Sequence, residues 1–182
     1  MVCFTLFPTP IGQCGVAWRG DLVVATHLPE NTPAETASRL ASRCGGSEGE
    51  PPALILSAIT SMTALLEGEK TDLTQITCDF RDAPPFAVKV YDATRAIPAG
   101  QTETYGAIAQ QVGSKQLAQG VGRALGRNPI PIIVPCHRVI GANDKLTGFS
   151  AHGGVQTKLR MLAIEGAEIG RQQDLFGDLP LT

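Results

Sequence analysis

The segment NPIPIIVPCHRVI, residues 128–140, is the most informative stretch of this chain. Three prolines space out a run of β-branched residues, which stiffens the backbone and favours its burial. The run ends in a cysteine and a histidine side by side, Cys136 and His137, followed by Arg138. A thiol presented by so rigid a segment indicates a reactive group that is held in a fixed place.

A thiol is a good nucleophile as thiolate, and a neighbouring histidine or arginine favours that form. Adjacent side chains of an extended strand point to opposite faces, so Cys136 and His137 cooperate only if the chain turns or a water bridges them. Pro135 favours such a turn. A histidine that acts as a base usually has a third group orienting it, and Glu165 is the candidate. For a Cys-His pair alone, a buried structural cysteine beside an unrelated histidine is the simpler interpretation.

The composition and the net charge of −2 are typical of a soluble protein. The length of 182 residues fits one large domain or two small ones. No apolar run approaches the roughly 18 residues of a membrane span, and the N-terminus lacks the features of a signal peptide. The five cysteines are scattered without a CxxC pair. They therefore indicate free thiols in a reducing cytoplasm rather than a disulfide framework.

The charges are divided unevenly along the chain. Residues 1–82 carry five Lys/Arg and ten Asp/Glu, whereas residues 83–171 carry ten Lys/Arg and five Asp/Glu. The half that contains Cys136 is therefore the one that could approach a polyanion. On charge alone, a chance division of solvated charges is the simpler explanation.

The first 82 residues predict a small α/β layer domain. Gly20-Asp21 is typical of a tight hairpin. Thr32, Pro33 and Glu35 indicate the start of a helix that ends at Gly45. The predicted elements are strands at Val2–Pro8, Cys14–Arg19, Leu22–His27 and Leu73–Cys78 and helices at 33–44 and Ala53–Glu67.

A metal site in this half is a weak alternative. Cys3, Cys14 and His27 could meet across neighbouring strands, but no fourth ligand is evident and the spacing matches no zinc pattern. Buried structural cysteines explain them better, so we expect no metal and no cofactor.

After a linker at 79–85, the pattern of residues 83–171 becomes helical. Two short helices, 102–112 and Lys115–Leu125, are joined by Gly113-Ser114, with Ser114 expected to cap the second; this is the helix-turn-helix pattern. A last helix, Val155–Glu165, is expected to turn four residues inward: Val155, Leu159, Leu162 and Ala163. Residues 172–182 are expected to form a loose acidic tail.

The second of these short helices carries one polar stripe. Lys115, Gln119 and Arg123 recur every four residues, and Arg127 follows just beyond. Three cations and an amide without an acid could lie on a phosphate backbone or enter a groove. A solvated helix face is the common alternative, so the stripe alone does not establish DNA binding.

The chain resembles the O6-alkylguanine-DNA alkyltransferase family, single-use repair proteins that move an alkyl group from guanine onto a cysteine. The resemblance rests on the PCHRV motif at residues 135–139, preceded by Asn128-Pro129 and followed by Gly148-Phe149-Ser150 and Glu165-Gly166. Pro85-Phe86, residues 97–100 and Thr104-Tyr105 extend it. It implies a ribonuclease-H-like α/β N-terminal domain followed by a mainly α domain with a helix-turn-helix.

The resemblance also implies roles. Cys136 accepts the alkyl group, His137 withdraws the thiol proton through a water, Glu165 orients His137, and Asn128 braces the turn. Tyr105 lies near the flipped nucleotide. The carbonyls of Cys136 and Val134 would read the guanine amine, and the Ser150 amide would contact O6. The other implied residues are Leu125, Pro131 and the Leu146–Gly148 turn around the pocket, and Thr104, Lys115, Gln119, Arg123, Arg127 and Arg138 on DNA.

The expected partner is double-stranded DNA containing O6-alkylguanine, with O4-alkylthymine as a further candidate, and we expect a nucleoid-associated monomer without a membrane partner. One departure concerns Gln119, which stands where the family usually has an arginine that fills the space of the flipped base. Three alternatives are a protein that binds alkylated DNA without transfer, a transcription regulator and a cysteine hydrolase. Cys136 disfavours the first, and the lack of an oxyanion signal disfavours the last.

Overall fold

The structure is a computed structural model that describes residues 1–146 and 148–168. The predicted acidic tail and Thr147 of the Leu146–Gly148 turn lie outside the described residues. Among the described residues, no helix is both long and apolar enough to cross a membrane.

The N-terminal half is a four-stranded sheet covered by helices. The strands stand in the order β3-β2-β1-β4, with β1 antiparallel to β2, β2 antiparallel to β3, and β1 parallel to β4. The elements are β1 (Cys3–Thr9), β2 (Gly12–Arg19), β3 (Leu22–His27), α1 (Pro33–Cys44), β4 (Ser47–Glu48) and α2 (Ala53–Leu66).

The start and end of α1 follow directly from sequence. The hydroxyl of Thr32 accepts a hydrogen bond from the Glu35 amide at 3.2 Å, and Pro33 occupies the first turn, where a missing amide proton leaves no gap. Gly45 ends the helix in the left-handed conformation at φ 63°, which glycine adopts without a steric penalty. The predicted capping of this helix is confirmed.

The predicted strand at Leu73–Cys78 is wrong. Only Cys78 forms a bridge, with Val23. The carbonyls of Leu73, Thr74 and Ile76 instead accept hydrogen bonds from Arg95 at 2.7–3.3 Å. A guanidinium on a distant helix thus takes the acceptors that a neighbouring strand would have used.

The C-terminal half is mainly helical. Its elements are α3 (Pro85–Arg95), β5 (Glu103–Thr104), α4 (Tyr105–Val112), α5 (Ala118–Gly126), β6 (Val139–Ile140) and α6 (Val155–Ile164). Helices α4 and α5 form the predicted helical pair, but Lys115–Leu117 is a 3-10 turn and α5 starts at Ala118. The Ser114 side chain makes no capping bond, because the turn closes through the Leu117 amide and the Ser114 carbonyl at 3.0 Å.

The inward face of α6 agrees with the prediction at Leu162 and differs from it elsewhere. Its fully buried residues are Lys158, Met161 and Leu162, whereas Ala163 is exposed and Val155 and Leu159 are half-buried. Apolar periodicity placed this face incorrectly because it assigns every lysine to solvent. Lys158 is buried because its ammonium donates to the Val139 carbonyl at 2.6 Å.

One hydrophobic cluster spans both halves, with Trp18 and Val23 from the sheet and Val90, Ile130 and Val134 from the helical half. Strand β3 carries the segment before Cys136 directly. The Thr26 amide donates to the Pro129 carbonyl at 3.1 Å, and its hydroxyl donates to the Pro131 carbonyl. The sheet therefore supports the loop that presents the thiol.

Candidate active site

The loop from Asn128 to Pro135 is held in one conformation by the Asn128 side chain. Asn128 Nδ2 donates to the Val134 carbonyl at 2.8 Å, and Oδ1 accepts from the Ile130 amide at 2.9 Å. Between them Ile132 adopts φ 77°, a left-handed conformation that strains a β-branched residue. Such strain, about 1–3 kcal/mol, persists only where surrounding contacts enforce it.

Cys136 follows this loop at the start of a 3-10 turn, Cys136–Arg138. The predicted turn at the Cys-His pair is thus present. The thiol is half-buried. Burial raises the pKa of Cys136 above its usual range, while the Asn128 side chain, within hydrogen-bonding reach, and the charge of Lys158 oppose that rise. The thiol therefore needs a base to become a thiolate at neutral pH.

The residue that follows, His137, is fully buried. Its Nε2 lies 2.8 Å from Glu165 Oε1, as predicted. Burial lowers the pKa of His137, so the neutral ring donates from Nε2 to the carboxylate and keeps an unprotonated Nδ1. Nδ1 is buried and has no hydrogen-bond partner among the described residues. The residue directly after Cys136 thus keeps an acceptor nitrogen.

Arg138 corrects one prediction, since it does not lie on a DNA-facing surface. Its side chain is buried and donates to both oxygens of Glu165, at 2.9 and 2.8 Å, and to the Ile97 carbonyl at 2.5 Å. Burial would raise the pKa of Glu165, but hydrogen bonds from His137 and Arg138 lower it to about 2. Arg138 therefore keeps Glu165 ionised under His137.

Gly100 completes the enclosure of Glu165. Its amide donates to Glu165 Oε2 at 3.4 Å, and its φ is 80°. A Cβ on Gly100 would stand 2.8 Å from the Glu165 carbonyl oxygen, closer than real Cβ atoms approach. The motif at residues 97–100, which marked the resemblance, thus surrounds this buried ion pair.

Lys158 is a residue of this site that sequence reasoning did not identify. Its ammonium lies 5.9 Å from the centre of the Tyr105 ring and binds the Val139 carbonyl. Burial lowers the pKa of Lys158 to about 8, an effect that the charge of Cys136 opposes. The position of Lys158 one helical turn after Gly154 and seven residues before Glu165 was the available signal.

A cleft of about 600 Å³ opens at Cys136. It brings together most of the residues predicted to bind the base, namely Tyr105, Leu125, Gly148 and Ser150, and adds Phe149 and Gln119. Pro131 does not line it; this residue borders a separate cavity of about 70 Å³ that Cys136 also lines.

The prediction that the Val134 carbonyl reads the base is wrong for this geometry. Val134 is fully buried, and its carbonyl accepts from Asn128 Nδ2 and from the Cys136 amide, each at 2.8 Å. These two bonds use both lone pairs of the oxygen. Val134 therefore shapes the loop rather than contacting a ligand.

The cations of the predicted DNA-facing stripe are exposed. Lys115, Gln119, Arg123 and Arg127 all face solvent at or beside α5, and Gln119 also borders the cleft of Cys136. The Thr104 hydroxyl caps α4 by accepting from the Ala107 amide at 3.1 Å.

The candidate metal ligands of the first half do not form a site. Among residues 1–146 and 148–168, no group of three or more His, Cys, Asp or Glu side chains could hold a metal ion. Cys14 is buried, and burial raises the pKa of its thiol to about 12. His27 instead pairs with Glu30 at 2.9 Å.

Three comparisons place these features among known proteins. The sequence profile of the 6-O-methylguanine DNA methyltransferase DNA-binding domain matches residues 85–167. A methylated-DNA–protein-cysteine methyltransferase of Mycolicibacterium paratuberculosis is 37% identical over 165 residues, 91% of this chain and 93% of the relative. A Mycobacterium bovis protein of the same name is 34% identical and covers 97% of this chain and 99% of its own length.

Solved structures of the same family are similar to this chain over most of its length. The O6-methylguanine methyltransferase of Mycobacterium tuberculosis superposes with a TM-score of 0.75 at 36% identity, covering 97% of this chain and 100% of that one. The Mycobacterium tuberculosis OGT in complex with DNA gives 0.71 at 33% identity, covering 89% and 92%. With the PCHRV cysteine beside a buried His–Glu–Arg network and the similarity extending over nearly the whole length, this chain belongs to the O6-methylguanine-DNA methyltransferase family.

Proposed function

We propose that this protein repairs DNA by direct reversal, moving a methyl or larger alkyl group from O6-alkylguanine to Cys136 in one irreversible turnover. The observation that carries the proposal is the Cys136 thiol at the cleft of about 600 Å³, adjacent in sequence to the buried His137–Glu165 pair. The thioether product is not reversed by simple hydrolysis. Each molecule therefore acts once.

The proton path begins at the thiol. A water between the two residues takes the Cys136 proton and passes one to His137 Nδ1, the nitrogen that has no partner among the described residues. Glu165 and Arg138 hold the ring so that this nitrogen remains the acceptor. The thiolate then attacks the alkyl carbon in line with O6, the C–O6 bond breaks, and its electron pair passes to the guanine, which takes up a proton from solvent to become neutral.

The damaged base must leave the duplex before its O6 can be reached, at a cost of a few kcal/mol. The flipped guanine enters the cleft among Tyr105, Leu125, Gly148 and Ser150. There the Ser150 amide contacts O6, the Cys136 carbonyl accepts from the exocyclic amine, and Tyr105 donates to the base. Thr104, Lys115, Gln119, Arg123 and Arg127 contact the DNA, chiefly through phosphates.

The sheet order β3-β2-β1-β4, with an antiparallel meander followed by a strand parallel to β1, supports a ribonuclease-H-like identity for the N-terminal layer. All five cysteines are free, which fits the cytoplasm, where a thiol stays reduced. We propose that the protein acts there as a monomer.

The transfer is tested by incubating the protein with a duplex that contains one O6-methylguanine and weighing the intact chain. A gain of one methyl group on the peptide that contains Cys136, absent in Cys136→Ala and with undamaged duplex, is the expected result. Binding to the damaged duplex without a gain in mass would show instead a protein that flags alkylated DNA. If the protein neither binds the damaged duplex nor gains mass, the whole proposal is contradicted.

Replacing Gln119 with arginine is expected to tighten binding to undamaged duplex severalfold. The new cation would neutralise about one further phosphate, so the slope of log affinity against log salt should steepen by about one. Titration of a fluorescent duplex at several salt concentrations measures both quantities. Gln116→Arg, at an exposed position outside the cleft, serves as the control for added charge. Equal effects of the two changes would argue against a wedge at Gln119.

A further inference from the structure

We propose that Arg43 gives this protein a preference for alkyl groups that end in a negative charge, of which carboxymethyl is the simplest. The proposal rests on the alkyl transfer to Cys136 proposed above. It adds a substrate class and a specificity-determining residue from the N-terminal half, which has no other part in the chemistry.

The geometry of displacement limits which alkyl groups can react at Cys136. When a thiolate attacks an alkyl carbon in line with O6, the other substituents of that carbon lie roughly perpendicular to the line between sulfur and oxygen. A methyl group needs no further space, but any longer group extends sideways from the sulfur. The space beside Cys136 therefore decides which longer groups can react.

Such a space is present. The cavity of about 70 Å³ borders Cys136 on the side of the N-terminal half and shares Leu125, Phe149 and Ser150 with the larger cleft. A cavity of this size exceeds what one water molecule requires, so it can hold a group of a few non-hydrogen atoms. A carboxylate attached through one methylene is such a group.

Arg43 supplies a charge to this cavity. It lies in the last turn of α1, lines the cavity together with Cys136, and donates from Nη2 to the carbonyl of the buried Asn128 at 2.5 Å. Burial lowers the pKa of Arg43, and the charge of Cys136 acts in the opposite direction. Arg43 as a whole is exposed, but its guanidinium is anchored at the wall of the cavity by the Asn128 carbonyl.

No carboxylate among the described residues pairs with the Arg43 guanidinium. Within residues 1–146 and 148–168, Arg43 forms no ion pair, and its one hydrogen bond goes to a neutral carbonyl. Its remaining N–H groups can donate to an oxygen in the cavity. A guanidinium binds a carboxylate through charge-assisted hydrogen bonds, often in pairs.

The other charged groups at the cavity do not cancel this effect. Glu30 also borders it, but its carboxylate is engaged by His27 at 2.9 Å, Arg39 at 3.5 Å and His152 at 3.4 Å. The Glu30 carboxylate is therefore already paired, whereas the Arg43 guanidinium has N–H groups that form no hydrogen bond with the described residues. A carboxylate on the lesion would complete the pairing that Arg43 lacks.

The test uses three lesions in the same duplex: O6-methylguanine, O6-carboxymethylguanine and O6-carbamoylmethylguanine. The last has the shape of the second without its charge. The single-turnover rate of transfer to Cys136 is measured for each by intact mass at limiting DNA. For the wild-type protein, the rate with the carboxymethyl lesion relative to the carbamoylmethyl lesion is the quantity of interest.

Arg43→Gln should lower this ratio about tenfold, the size expected when a charged hydrogen-bond partner is lost. Arg43→Lys should restore most of it, because the charge remains. Arg160→Gln is the matched control, since Arg160 is exposed, also donates to a backbone carbonyl, that of Pro10 at 2.8 Å, and lines neither the cleft nor the cavity. It should leave the ratio unchanged.

Other results would refute either the charge preference or the alkyl transfer itself. If Arg43→Gln slows all three lesions equally, Arg43 only positions Asn128 and the charge preference is refuted. If Arg43→Gln does not fold, a wild-type ratio near one refutes the charge preference as well. Absence of transfer even from O6-methylguanine would refute the alkyl transfer itself.

Discussion

Glu165→Ala is expected to destabilise the protein by about 3–5 kcal/mol and to abolish measurable alkyl transfer. Removing one partner of a buried ion pair leaves the other charge without compensation, and such changes are among the most costly single substitutions. Here the uncompensated group is Arg138, only 5% exposed, which would keep the Ile97 carbonyl as its partner. His137 loses its orienting acceptor at the same time.

Urea unfolding measures the first effect, and the rate of methylation by intact mass measures the second. Glu168→Ala is the control, because Glu168 is exposed three residues further along the chain. Glu165→Gln, which keeps one acceptor oxygen, should fold better than Glu165→Ala but still transfer slowly. A Glu165→Ala protein of wild-type stability would contradict the assignment of this network as a structural element.

The same carboxylate predicts a pH dependence. The pKa of Glu165 is lowered from 4.5 to about 2 in the folded protein, so its ionised form stabilises the fold. That stabilisation is fully present above pH 4.5 and is lost as the pH falls toward 2. The stability difference between wild type and Glu165→Gln should therefore be constant near neutral pH and shrink in acid.

Asn128→Ala is expected to destabilise the protein by about 2–4 kcal/mol, because it leaves the buried Ile130 amide without an acceptor and removes the donor to Val134. The transfer rate should fall about a hundredfold, since Asn128 fixes the loop that carries the thiol and small displacements of a nucleophile are expensive. Denaturant unfolding and single-turnover transfer from O6-methylguanine measure the two effects.

Thr26→Val is the matched control for Asn128. It removes the hydroxyl that donates to the Pro131 carbonyl of the same loop, but it leaves the groups around Cys136 intact. We expect a loss of about 1 kcal/mol in stability and an unchanged transfer rate. If both variants slowed transfer equally, the loop would depend on its anchorage to the sheet rather than on the Asn128 side chain.

Much of the site could be predicted, because its turns and caps depend on neighbouring residues and its charged pair belongs to a specific sequence motif. The turn at Cys136, the caps of α1 and the His137–Glu165 pairing all agree with expectation. The predictions that failed concern long-range partners. The strand at Leu73–Cys78 is absent because Arg95 takes its carbonyls, and Val134 is unavailable because Asn128 already uses its oxygen.

The long-range partners of charged side chains could not be predicted from the sequence either. Arg138 was expected on the DNA and Lys158 was not considered part of the site, yet both are buried. Sequence patterns assign arginine and lysine to solvent, since burying a charge is unfavourable unless partners compensate it. Those partners, Glu165 and the Val139 carbonyl, lie 27 and 19 residues away.

The sequence by itself determined the family, the nucleophile, the first three strands and most of the helices, because these depend on residue identity and on contacts within a few positions. Only the tertiary structure decided which cations face solvent and which lie inside. It alone brought Arg43 of the first half to the Asn128 carbonyl, 85 residues away, and beside Cys136. The reason is physical: a side chain's charge is written in the sequence, but its partners and its exposure exist only once the chain has folded.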